Sequence, residues 1–147
     1  MKLTLVSLSF ILFTCLFASA GSAWTEDFAA AQKKAQAENK PLMLEFTGSD
    51  WCPPCKAMHK YVFSQPEFQA YAEESLVWVR LDFPRGISQS AELKAQNVRL
   101  RDSYGVQGYP TILLVEPDGE LIAKTGPRRT SPEGYAEHLQ ELLEEGR

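Results

Sequence analysis

Cysteine is scarce in this chain, with three in 147 residues. That is too few for a fold stapled by several disulfides. Histidine is scarcer, with two, so a zinc site built from four nitrogen and sulfur ligands has few candidates. Basic residues number 15 against 19 acidic ones, and the net charge of −4 lacks the basic footprint of a nucleic-acid binder. No internal repeat or low-complexity tract breaks the sequence. What is not lacking is apolar and aromatic content, 44% and 11%, which excludes extended disorder. The length suits one domain, since domains usually run to about 100–200 residues.

The N-terminus carries the longest hydrophobic run. Met1-Lys2 is followed by an uncharged apolar stretch over 3–17, and Ala18-Ser19-Ala20 supplies a small-residue cleavage pattern. A permanent membrane helix needs about 20 apolar residues and different flanks. Residues 1–20 therefore read as a cleaved secretory signal peptide, and 21–147 as a single domain. Removing 20 of 147 residues leaves 127 and takes Cys15 away, so the odd thiol count becomes an isolated pair, Cys52 and Cys55. The expected location is periplasmic or secreted, where disulfides form and persist.

The remaining pattern alternates helices and strands. Thr25 caps a helix over 25–39 that Pro41 ends. Apolar runs at 42–47 and 76–83 read as strands. Between them, Pro53 and Pro54 suit the first turn of a helix over 55–63, and Ser64 caps a second short helix. Residues 88–104 read as a helix with a solvated face that includes Lys94, Arg99 and Arg101. Strands at 111–116 and 121–125 flank a Pro117-Asp118-Gly119-Glu120 hairpin turn. Ser131 and Pro132 open a final amphipathic helix. The order implies an α/β fold, a central mixed sheet flanked by helices.

The chemistry centres on Trp51-Cys52-Pro53-Pro54-Cys55-Lys56, between a buried strand and a helix. A cysteine at a helix start sits where unpaired N–H groups and the helix dipole stabilise a thiolate. A second cysteine one turn inside can attack a mixed disulfide formed by the first. A purely structural disulfide competes with this reading, although so short a loop removes little unfolded-state entropy. A c-type haem would need histidine at position 56, which is lysine. A copper-carrying role is an alternative: Cys52, Cys55 and His59, with Met58 nearby, are soft enough ligands for Cu(I).

From Pro41 to Leu143 the sequence resembles the thioredoxin family. The resemblance rests on the Trp51–Lys56 motif after an apolar strand, and on Tyr104-Gly105-Val106-Gln107-Gly108-Tyr109-Pro110-Thr111 before the hairpin. Phe46-Thr47-Gly48-Ser49-Asp50-Trp51 and Val62-Phe63-Ser64-Gln65-Pro66-Glu67-Phe68 have the flavour of its exported members. The resemblance implies the thioredoxin fold and a thiol–disulfide oxidoreductase that needs no cofactor. It implies Cys52 as the exposed nucleophile, Cys55 as the resolving cysteine and Pro110 as a cis-proline facing them. The Tyr109 backbone would then pair with an extended substrate, with Trp51, Pro53 and Pro54 forming the rest of the binding surface. Family members carry a buried acid on the strand before the motif. Glu45 matches it across a loop one residue longer, as the group that takes the proton from Cys55. Arg80 stands where many members have a lysine paired with that acid, which would pull its pKa back down. Lys60 replaces a helix-kinking proline, so a straighter helix is expected. Pro53 and Pro54 have no N–H to offer a thiolate, which favours a reductant over a strong oxidant. The expected partners are protein thiols and disulfides and a membrane-bound redox protein, with no nucleic acid, for a monomeric chain.

Overall fold

The computed structural model describes residues 23–146. The expected signal peptide, 1–20, lies outside the described residues. Five strands form one sheet: β1 (Trp24–Thr25), β2 (Leu42–Thr47), β3 (Val77–Asp82), β4 (Thr111–Val115) and β5 (Leu121–Thr125), in the order β1-β3-β2-β4-β5. β1, β3 and β2 run parallel, while β4 is antiparallel to both β2 and β5. The helices are α1 (Phe28–Glu38), α2 (Pro53–Met58), α3 (Pro66–Ser75), α4 (Ala91–Ser103) and α5 (Pro132–Glu145). The mixed α/β layering follows the expectation from sequence.

Side-chain alternation assigns each face of the sheet. Met43, Trp78, Ile112 and Leu114 point towards α2, α3 and α5, where Phe63, Phe68, Tyr135 and Leu139 complete one core. Leu44, Phe46, Val79, Leu81 and Leu113 point the other way, onto Ala31, Ala35 and Leu100 of α1 and α4. All six residues of β2 are buried. A strand covered on both faces reads as a continuous apolar run, which is why β2 is easy to find and why its one carboxylate, Glu45, stands out.

Four local expectations are corrected. Thr25 does not cap α1. It pairs with Val79 in β1, and Asp27 caps the helix by accepting from the Ala30 N–H at 2.9 Å. The helix expected over 88–104 starts later, at Ala91, with Ser90 as its cap accepting from Leu93 N–H. Ser64 does not cap α3. Its hydroxyl donates to the Lys60 carbonyl, one turn back. The segment after α2, expected to run as a straighter helix without proline, does not continue as regular α-helix. His59–Phe63 forms a π-helical turn in which Ser64 N–H reaches the His59 carbonyl at 2.9 Å. Such a turn widens the helix by one residue. It lets Val62 and Phe63 both enter the core, where each is at most 3% exposed.

Candidate active site

α2 begins at the C-terminal end of β2. Gly48 makes the tight connection: its carbonyl accepts from the Trp51 and Cys52 N–H groups, and its N–H points at Cys55 Sγ, 3.5 Å away. A Cβ at position 48 would lie 2.5 Å from Trp51 Cε2, so only glycine leaves space for the indole. Pro53 and Pro54 start the helix, where a missing N–H costs nothing. Cys52 is the N-cap. Cys52 and Cys55 form a disulfide, with Cα atoms 5.2 Å apart. The Cys55 N–H donates to Cys52 Sγ at 3.3 Å. With two prolines between the cysteines, this is the first backbone N–H of the helix available to that sulfur.

The Tyr109–Pro110 peptide bond is cis. The Tyr109 carbonyl oxygen lies 3.7 Å from Cys52 Sγ. Tyr109 meets Trp51 edge-on at 6.0 Å between ring centroids and stacks on Phe83 at 5.0 Å. Trp51 Nε1 donates to the Phe83 carbonyl at 2.8 Å, and the Arg85 guanidinium lies 3.8 Å over the Trp51 ring. Arg85 is held in turn by Asp50, whose carboxylate accepts from the Arg85 and Gly86 N–H groups; these bonds hold the Asp50 carboxyl below the usual range. The expected difference in exposure between the cysteines is absent. Cys52 is 3% exposed and Cys55 2%. The two cysteines differ instead in position: Cys52 caps the start of α2 and Cys55 lies inside it.

Glu45 points into the α2 side of the sheet and is 2% exposed. Its carboxylate accepts from Trp78 Nε1 at 3.0 Å. Burial pushes the carboxyl up to about 7, against the partial opposition of the Arg80 charge and the Trp78 N–H. Arg80 pulls the acid down, as expected, but by less than burial raises it. Arg80 is the register partner of Glu45 across β2 and β3, but no salt bridge joins them among the described residues, and its guanidinium lies 5.0 Å over the Trp24 ring. Its field reduces the upward shift without cancelling it.

A model of the thioredoxin-like domain matches residues 28–142. The chain belongs to the thioredoxin-like family. Among thioredoxin-like relatives, the disulfide bond reductase DsbH of Chlamydia pneumoniae is 31% identical over 126 residues, which cover 86% of this chain and 75% of that protein. The thiol:disulfide interchange protein DsbD of Salmonella typhi is 35% identical over 89 residues, 60% of this chain but only 14% of the much longer DsbD. A solved DsbH oxidoreductase structure superposes with a TM-score of 0.80 at 29% identity, covering 94% of this chain and 95% of that one. With the Cys52–Cys55 disulfide in place, this thioredoxin-like chain is a thiol–disulfide oxidoreductase.

The copper-carrying alternative finds no support. No group of three His, Cys, Asp or Glu side chains among the described residues could hold a metal ion. His59 ends α2 with a buried Nδ1 that has no hydrogen-bond partner, and burial lowers its pKa. Sequence reasoning missed Asp50, Phe83, Arg85 and Arg101 as neighbours of the thioredoxin-like motif. Arg101 does not belong simply to a solvated face: it pairs with Asp102 at 2.8 Å and lies 5.6 Å over Phe83. Only Asp50, adjacent to Trp51 in sequence, carried a local signal.

Proposed function

We propose that this protein is an exported reductant of disulfides in other proteins. The observation that carries the reading is the Cys52–Cys55 pair at the start of α2, with the Tyr109 carbonyl beside Cys52 Sγ. In the reduced protein the Cys52 thiolate attacks one sulfur of a substrate disulfide. A Cys52–substrate disulfide forms and the first substrate thiolate leaves. Cys55, deprotonated by Glu45 through a water molecule, attacks Cys52 Sγ and releases the second substrate thiolate. Two electrons pass to the substrate, and the Cys52–Cys55 disulfide remains. An external dithiol protein, membrane-bound in this reading, must reduce it for the next cycle. An extended substrate segment pairs with the Tyr109 backbone as an added strand would, against Trp51, Pro53, Pro54 and Pro110. The chain acts as a single domain over 21–147.

The direction is supported by the donor count at Cys52. Positions 53 and 54 have no N–H, and Cys55 N–H is the backbone donor that reaches the sulfur. A sparsely stabilised thiolate gives up electrons more readily. The DsbH relative carries the name of a disulfide bond reductase, which agrees. Equilibration with glutathione should give a potential near the reducing end of the known range, roughly −270 mV, and the reduced protein should release thiols from insulin. A potential near −120 mV would reverse the direction.

Export is supported by the charge, apolar stretch and small-residue pattern of residues 1–20. Expressed in full in a secreting bacterium, the protein recovered from outside the cytoplasm should begin at Gly21. Recovery only as a chain starting at Met1 would contradict export by cleavage.

A further inference from the structure

A second surface feature adjoins the dithiol. An open cleft of about 490 Å³ lies between α2 with its π turn and the loop that joins β5 to α5. Pro54, Met58 and Tyr61 supply one wall, and Pro127, Arg128 and Arg129 the other. Its first wall begins inside the cysteine motif, at Pro54. Its second follows directly from Gly126, where an added Cβ would lie 3.6 Å from the Pro110 carbonyl. The cleft therefore continues outward from the dithiol and the cis-proline.

Its chemistry is mixed in a specific way. Tyr61 is 61% exposed, high for a large apolar side chain. The Lys60 ammonium sits 4.9 Å from the Tyr61 ring centroid and adds a third cation to the same side. Arg128 and Arg129 are exposed. The ion pairs among the described residues are Lys34–Glu38, Lys40–Glu38 and Arg101–Asp102, so neither arginine is in a salt bridge. The nearby Glu133 carboxyl is occupied by Ser131 and its own backbone N–H. This concentration of unpaired positive charge stands out on a chain whose net charge is −4.

We infer that the cleft selects substrates, by receiving a polypeptide segment that carries an apolar residue and an Asp or Glu close to the disulfide being reduced. The apolar residue packs on Met58 and Tyr61, and the carboxylate meets Arg128 and Arg129, whose planar guanidinium groups suit bidentate contact. This rests on the oxidoreductase reading above and adds a preference to it. The test uses matched synthetic disulfide peptides that differ only in an Asp-Asp, Ser-Ser or Lys-Lys pair beside an apolar residue near the cysteine. Each rate with the reduced protein is expressed relative to hydroxyethyl disulfide, which is neutral and too small to span the cleft. The Asp-Asp peptide should react about 10-fold faster than the Lys-Lys peptide at low salt, and within about 2-fold at 0.5 M salt. An R128E/R129E variant should invert the order, and R128A/R129A should flatten it. An unchanged order in the charge-reversed variant, or no discrimination by the wild-type protein, would overturn the inference and leave the oxidoreductase reading standing. Failure of the wild-type protein to reduce hydroxyethyl disulfide would remove both.

Discussion

A Cys55→Ala variant is expected to stop turning over and to accumulate disulfide-linked complexes with its substrates, all attached through Cys52. The proposed sequence of events requires it. Attack by Cys52 does not involve Cys55, so the mixed disulfide still forms. Resolution does, and without Cys55 the complex decays only by slow attack from outside thiols. Turnover with insulin should fall to background in this variant and also in Cys52→Ala. The two differ in what remains on a non-reducing gel, where Cys55→Ala should give adducts and Cys52→Ala none. Similar low exposure of the two sulfurs in the disulfide makes this more than a formality. If both variants trapped partners equally, position at the helix start would not distinguish the cysteines and the assignment would fail. Adducts confined to Cys52→Ala would exchange the two roles.

Replacing Glu45 should change how both stability and resolution depend on pH. Its carboxyl titrates at about 7 in the folded protein, against 4.5 for an unperturbed Glu as in the unfolded chain. Between those values the unfolded chain has lost the proton and the folded one keeps it. The Glu45 contribution to stability is therefore fully present below the unfolded value, falls as pH rises, and is flat above the folded value. The total loss across that window is about 3 kcal/mol. Denaturant titrations from pH 4 to 9 should show this slope in the wild-type protein. Glu45→Gln should lack it, so that the variant gains about 3 kcal/mol relative to wild type on moving from pH 4 to pH 8. A group titrating near neutrality is also suited to accept and return a proton. Loss of the proton acceptor should slow decay of the mixed disulfide roughly 10²-fold and remove its rise through pH 7. A Glu45→Gln profile that overlays the wild type in stability would exclude the raised carboxyl. Overlaid decay rates would exclude Glu45 from proton transfer even if the stability slope vanished.

These expectations draw on features that differ in how far they were legible in the sequence. β2 could be read because a doubly covered strand is apolar throughout, and the cysteine motif because its spacing is local. The hairpin between β4 and β5 was readable from its proline and glycine. Contacts between distant segments were not. Thr25 is a good helix cap by composition, yet pairing of Trp24 and Thr25 with Trp78 and Val79 draws it into the sheet. The π turn at 59–63 has no sequence mark beyond the absence of proline. It serves core packing by Val62 and Phe63, which depends on α3, α5 and the sheet. The packing of Trp51 beside Cys52 depends on Phe83, Arg85 and Tyr109, more than 30 residues downstream. Arg80 sits opposite Glu45 as the pattern suggested, but strand register does not fix side-chain direction, and the guanidinium turned to Trp24.

The outer boundary of the sheet has a consequence for how the chain meets extended segments of other proteins. β1 has only two residues and leaves the second half of β3 without a strand on its outer side. There the Asp82 carbonyl accepts from the Asn97 and Gln89 side-chain amides at 3.0 and 3.2 Å, which occupy a position an incoming backbone would need. At the opposite edge, exposed Lys124 interrupts β5 with a charge. Short, capped or charged edges resist uncontrolled strand addition. Both edges thereby resist adding an extended segment of another chain, which leaves the Tyr109 backbone as the proposed place for strand-like pairing.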